Sequence, residues 1–174
     1  AAGAQAVIIE DQVSPKRCAA CVDETNVIAV DEAVSKIRAA RDAAGGELVV
    51  IARTDTFDPA EAFVRAKAYA GAGADLLQPV SQTFRSFEEL VELRRICGLP
   101  LSIQILGWLE TIPPEDIGKV AGLATFSLVS VMTATRSLME NLMHLRQTLR
   151  CDGLPRERIG LEEFKEFIGF NRML

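Results

Sequence analysis

No stretch of the 174-residue chain approaches the ~20 consecutive apolar residues that a membrane helix needs, and none gathers lysines and arginines on one face with interleaved aromatics. Those two absences argue against a bilayer span and against a nucleic-acid partner. The formal charge of −5 and a pI near 5.0 point the same way for any phosphate backbone. The N-terminus lacks a basic region followed by an apolar core and a cleavage site, so the expected compartment is the cytoplasm, or an organelle matrix if an upstream transit segment has been lost. Cysteine is scarce: Cys18, Cys21, Cys97 and Cys151 do not form the dense framework of a secreted disulfide scaffold, and reduced thiols are expected. Cys18 and Cys21 spell C-x-x-C, but a zinc shell needs about four ligands, and Cys97 and Cys151 stand alone in helical segments. The single histidine, His144, lies within a long helical stretch and is expected to have a surface or packing role. The Gly-rich dinucleotide fingerprint and the P-loop are also missing from every strand-to-helix turn, which lowers the expectation of an open nucleotide-binding sheet.

What is present is a globular composition, 49% hydrophobic and 25% charged, in a chain long enough for one well-buried domain. Short apolar runs alternate with helical patterns. Ala6–Ile9, Leu48–Ala52, Asp75–Gln78, Leu101–Leu106 and Leu123–Val129 read as strands. Between them, Asp31 is placed as the N-cap of a helix closed by Gly45-Gly46, Asp58-Pro59 open a helix reaching about Ala72, and Ser86 with Glu89 form a capping box for a helix to about Cys97. Pro113-Pro114 open a short helix to Ala121, an amphipathic helix runs from about Met132 to Arg150, and a last helix spans about Leu161–Phe170. Strands of about 5 residues alternating with helices imply right-handed βαβ units and a parallel sheet, so the class is α/β. Periodicity alone leaves an open doubly wound sheet and part of a barrel both available.

In either architecture the chemistry sits at the C-terminal ends of the strands. The first strand delivers Glu10 and Asp11 and then a long loop with Lys16, Arg17, Cys18 and Cys21; the second delivers Arg53 and Asp55. Lys16 and Arg17 just before Cys18 favour its thiolate, which suits a nucleophile or a general acid or base. Glu10, Asp11 and Asp55 are candidate oxygen donors to a hard cation, directly or through water. Arg53 is the natural fork for a substrate carboxylate. Without a family match, Glu10 and Asp11 have a plainer reading as strand-end caps or partners of Lys16, and Arg53-Thr54-Asp55 as a structural ion pair, the reading preferred for Asp55.

The run GAQAVIIEDQVSPKRC (Gly3–Cys18), followed by VVIARTD (Val49–Asp55) and AYAGAGAD (Ala68–Asp75), resembles the isocitrate lyase and phosphoenolpyruvate mutase superfamily, closest to its 2-methylisocitrate lyase and oxaloacetate-cleaving branch. The resemblance covers nearly the whole chain. It implies a (β/α)₈ TIM-type barrel of which this chain carries about strands four to eight, as a single partial domain over residues 1–174. It implies Glu10 in a Mg²⁺ shell through water, Lys16 and Cys18 on a mobile catalytic loop with Cys18 as proton donor, and Arg53 on a substrate carboxylate. Gln104 stands where the family places a substrate-binding asparagine. The activity implied is Mg²⁺-dependent cleavage of a carbon–carbon bond in a 2-substituted dicarboxylate through an enolate. The expected partner beyond that small molecule is a second copy of the chain, in a dimer or tetramer, with residues 155–174 exchanged between subunits.

The sequence departs from the family pattern at Ala19 and Ala20, which replace Gly-His after the cysteine, at Val80, which replaces a glutamate, and at Leu106 and Gly107. These departures motivate a rival expectation, a barrel that binds a ligand or a partner without turnover. A phosphonate mutase or hydrolase is the same-fold alternative, and Cys18 disfavours the mutase. The family's most direct metal-binding aspartates are expected upstream of Ala1.

Overall fold

The computed structural model describes residues 3–19 and 22–170. Its chain divides into two compact units, 1–127 and 128–174. The first contains β1 (Ala6–Glu10), α1 (Val30–Ala44), β2 (Val49–Thr54), α2 (Pro59–Gly71), β3 (Leu76–Pro79), α3 (Phe87–Cys97), β4 (Leu101–Gln104), a 3₁₀ turn (Gly107–Thr111), α4 (Pro114–Val120) and β5 (Ala121–Thr125). All neighbouring strands are parallel and their spatial order is β1-β2-β3-β4-β5, the order of the sequence. A doubly wound sheet reverses its strand order at a switch point, and this one does not. The sheet is therefore an arc of the barrel type, each strand added beside the last by a helical crossover.

Strand residues alternate between two faces. Val50 and Ala52 of β2, Leu77 of β3, and Leu101 and Ile103 of β4 face the helices, in one core with Ile37, Ala66, Tyr69, Leu90 and Leu93. The other set carries the polar groups. Register pairs Glu10 with Arg53 and Arg53 with Gln78, while the Ser102 hydroxyl of β4 donates to Gln78 Oε1 at 2.9 Å. One polar row thus crosses the ends of four strands on the face away from the helices.

Local signals account for most boundaries. The Asp58 carboxylate accepts from the Ala60 amide with Pro59 as the first helical residue, and Ser86 and Glu89 form the expected reciprocal box. Asp31 is not the cap expected of it. The helix α1 begins at Val30 with Ala29 at its N-cap and no side-chain cap, and Asp31 lies inside the first turn, where its charge complements the helix dipole. Asp75 ties two elements together, since its Oδ2 accepts from the Val50 amide at 2.7 Å and pairs with Arg41, whose Nε donates to the Gly73 carbonyl. Gly73 suits that approach, since its φ of +99° is one that L side chains rarely adopt and a Cβ there would make a tight contact of 3.2 Å with Arg41 Cγ.

The fifth strand is displaced from its expected span: it ends at Thr125, whose carbonyl receives the Ile105 amide, and Leu128 turns into the left-handed region at φ 64° before α5 (Val129–Thr148) begins. The second unit consists of α5, a return segment and α6 (Leu161–Phe167), which is shorter than the expected span to Phe170. The return segment is bonded to α5: Arg156 pairs with Glu140, its amide donates to Asn141 Oδ1 at 3.0 Å, and His144 Nε2 lies 3.0 Å from the Asp152 carbonyl. His144 is thus a structural tie, as a helical role implied.

Leu77 has no exposed surface and stands at the centre of the helix-facing core. Its replacement by alanine is expected to cost about 2–5 kcal/mol, against less than about 0.5 for Val64→Ala on an exposed position of α2. Urea unfolding of the two variants checks this; similar midpoints would contradict the placement of the core.

Candidate active site

The consecutive acids at the end of β1 do different things because neighbours in a strand point to opposite sides. Asp11 turns toward α2 and is buried, with 1% exposure. Its Oδ2 accepts from the Tyr69 hydroxyl at 2.6 Å and from Arg65 Nη1 at 3.1 Å, while Oδ1 accepts the Asp55 backbone amide at 2.9 Å. Arg65 in turn donates to Glu61 at 2.6 Å and to the Ile28 carbonyl at 2.9 Å. Burial, then the charge of Asp11, pushes the Tyr69 phenol above its ordinary value. For Glu61, burial acts upward, but hydrogen bonds from Arg65 and Thr56 outweigh it and hold the carboxyl below 4.5. Both Asp11 oxygens are committed here, so Asp11 is unavailable as the oxygen donor considered from sequence. The spacing of Glu61, Arg65 and Tyr69 at four-residue intervals along α2 is the sequence signal for this network.

Glu10 lies on the opposite face. Lys16 Nζ donates to its Oε2 at 2.5 Å, and Arg53 Nε is 4.0 Å from the same oxygen. Lys36 Nζ donates to the Glu10 carbonyl at 2.6 Å. Arg53 is also held by Asp55, whose Oδ1 accepts from Nη2 at 2.6 Å and from Nε at 3.0 Å. Burial, the largest influence, raises the Asp55 carboxyl above 3.8, although the Arg53 hydrogen bond and charge pull it down. Asp55 therefore positions Arg53, in agreement with its structural reading. Thr25 donates its hydroxyl to the Asp55 carbonyl, tying the far arm of the long loop to the same place.

Glu10, Lys16 and Arg53 are thus brought together directly. Cys18 is exposed on the loop two residues beyond Lys16, and Cys21 lies outside the described residues. Gln104 stands one layer further along β4, in register with Thr125, where it lines a small cavity with Val80 and Trp108. No hydrogen bond or ion pair joins its side chain to Glu10 or Arg53. Among the described residues no group of three or more His, Cys, Asp or Glu side chains is arranged to hold a metal ion. Sequence reasoning does not single out Gln78, Gln12 and Gln82, because a lone amide leaves little trace in a pattern built on charge.

A family model described as phosphoenolpyruvate phosphomutase matches residues 1–149. The chain belongs to that family. Among curated relatives, the petal death protein of Dianthus caryophyllus is 32% identical over 99% of this chain and 54% of its own length, and the 2-methylisocitrate lyase of Salmonella typhimurium is 40% identical over 53% of this chain and 34% of its own. Among solved structures, an oxaloacetate acetylhydrolase bound to 3,3-difluorooxalacetate is 25% identical, with a TM-score of 0.75 over 95% of this chain and 58% of that one. A phosphoenolpyruvate phosphomutase from Streptomyces platensis has a TM-score of 0.80 at 23% identity, over 97% of this chain and 61% of that one, which supports the fold. This phosphomutase-family chain spans about half the length of the first curated relatives it matches. Its five-stranded parallel sheet, in sequential order, has the TIM-type fold expected from the motifs.

Because Arg53 lowers the Asp55 carboxyl while burial raises it, Arg53→Met is expected to move the Asp55 pKa further up. The folded-state value is already above the ordinary one, so this group's contribution to stability falls as pH rises above 3.8, and the variant should extend that fall to higher pH. Carboxyl carbon NMR titration of Asp55 reads the shift, and an unchanged or lower value would contradict the pairing.

Proposed function

We propose that this chain supplies the C-terminal strands of a Mg²⁺-dependent lyase that cleaves a carbon–carbon bond in a 2-substituted dicarboxylate of the methylisocitrate, isocitrate or oxaloacetate kind. The observation that carries the reading is Arg53, braced by Asp55 and lying beside Glu10 and Lys16 at the ends of adjacent strands. The names of the relatives, which include 2-methylisocitrate lyase and 2,3-dimethylmalate lyase, lend it support.

In this reading the guanidinium of Arg53 orients one substrate carboxylate, and Gln104 contacts the substrate from the end of β4. The hydroxyl at C2, which an oxaloacetate-type substrate has only as its hydrate, gives its proton to solvent water and becomes a carbonyl as the adjacent carbon–carbon bond breaks, leaving that bond's electron pair as an enolate. The Cys18 thiol delivers a proton to the enolate carbon and is reprotonated from water, and the ammonium of Lys16 stabilises the transient thiolate. Glu10 would help to hold Mg²⁺ through water, and the bound ion would supply positive charge that stabilises an enolate. Solvent access to Cys18 and Lys16 leaves both groups within reach of an incoming substrate. We further propose a homo-oligomer with exchange of residues 155–174; light scattering of the full-length protein that gave a monomer would contradict it.

A second reading, ligand binding without turnover, draws on Val80, which is 5% exposed and apolar at the end of β3. One experiment separates the two. The full gene product is incubated with Mg²⁺ and a panel of 2-substituted dicarboxylates, and keto-acid release is followed. Cleavage should fall by about 10²-fold or more in Cys18→Ser, and Arg53→Met should raise KM. No cleavage of any member, with calorimetric binding of oxalate retained, would establish the second reading instead.

A further inference from the structure

The loop after β1 is closed at its base by a short antiparallel pairing. Gln12 bridges Val27, the Val13 amide donates to the Asn26 carbonyl at 2.9 Å, and the Ile28 amide donates to the Asp11 carbonyl at 2.8 Å. Gln12 therefore projects from a fixed point. A second fixed point lies beyond β3, where buried Thr83 donates its hydroxyl to the Thr56 carbonyl at 2.7 Å and its amide to the Val80 carbonyl at 3.1 Å. Gln82 precedes it directly.

These two glutamines reach the backbone on either side of Cys18. The Arg17 amide donates to Gln12 Oε1 at 2.6 Å, and Gln82 Nε2 donates to the Ala19 carbonyl at 2.9 Å. Ala19 is pinned down with 5% exposure, whereas Lys16, Arg17 and Cys18 are exposed. Each glutamine uses only half of its amide in this way, and the other halves, Gln12 Nε2 and Gln82 Oε1, are buried without a hydrogen-bond partner among the described residues. An unmatched buried amide end is destabilising, and it persists where other contacts of the same side chain hold it.

We propose that Gln12 and Gln82 are positioning residues, a two-point staple that fixes the backbone on both sides of Cys18 while leaving the thiol itself exposed. The staple's part in turnover rests on the lyase reading above; its part in ordering the loop does not. The opposite polarities of the two bonds make it testable. A glutamate at position 12 still accepts the Arg17 amide, but a glutamate at position 82, ionised at pH 8, has no hydrogen to give the Ala19 carbonyl.

The test is hydrogen–deuterium exchange of the segment 13–19 in the full-length protein at pH 8, with thermal unfolding recorded for each variant. Q82E and the near-isosteric Q82M should exchange this segment about three- to tenfold faster than wild type at matched melting temperature, and so should Q12M, while Q12E should keep wild-type exchange. Where the protein turns over, Q82M should lower kcat and leave KM nearly unchanged, since the staple touches no substrate. Unchanged exchange in Q82E and Q82M would overturn the proposal. Faster exchange with undiminished kcat would overturn the positioning role. A wild-type protein that cleaves nothing would sink the lyase reading, and the exchange results would still decide the staple.

Discussion

The buried carboxylate of Asp11 is the interaction on which the arrangement of the first unit rests. It joins the end of β1 to the backbone at the end of β2 through the Asp55 amide, and both to α2 through Tyr69 and Arg65. A buried charge with one partner would be a liability, because desolvation exceeds what a single ion pair returns. Here an arginine, a phenol and a backbone amide share the load, and Arg65 is itself neutralised by Glu61. The alternation of the strand does the rest. With Asp11 locked toward the helices, Glu10 must point the other way, and the register pairing sets it beside Arg53. A slip of one residue would exchange the two acids, burying Glu10 against Arg65 and turning Asp11 to the open face.

Arg53 shows how a similar arrangement orients a cationic side chain. Asp55 takes the side of the guanidinium formed by Nε and Nη2, and Glu10 stands 4.0 Å from Nε. No hydrogen bond is made by Nη1 among the described residues, and in the function proposed above that end of the fork is the one that meets the substrate carboxylate. A long flexible side chain is thereby given one orientation before any substrate arrives, which removes part of the ordering cost of binding. Asp55 lies deeper than Arg53, and its elevated carboxyl reflects the burial required to brace the arginine from below.

Much of this was legible from residue order. The strand-to-helix grammar, the Asp58-Pro59 start and the Ser86–Glu89 box all correspond to elements in the structure, because each depends on contacts within a few residues. Where the outcome depended on distant partners, the linear pattern was a poorer guide. Asp31 has the chemistry of a cap, but α1 starts one residue earlier; Leu123–Val129 has the apolar run of a strand, but pairing with β4 stops at Thr125. The same distinction governs the site. Glu10, Lys16 and Arg53 could be named from motif and strand-end position, whereas the separate fate of Asp11 required knowing that Tyr69 and Arg65, more than fifty residues away, would meet it. The amides of Gln12 and Gln82 were less visible still, since their partners are main-chain atoms that any sequence supplies.

The loop that bears Cys18 combines a tight hold with a loose one, and the difference follows from solvent. Lys16 reaches Glu10 with side-chain exposures of 51% and 29%, and an ion pair so open to water contributes little, on the order of 0–1 kcal/mol. The neighbouring backbone is held by amide bonds whose glutamine ends are partly withdrawn from water, with Ala19 buried beneath. Lys16 can therefore leave Glu10 at small cost while positions 17 and 19 stay in place. Such a division lets the carboxylate of Glu10 change partners without releasing the thiol, and it locates the adaptable part of the site in one lysine side chain rather than in the loop as a whole.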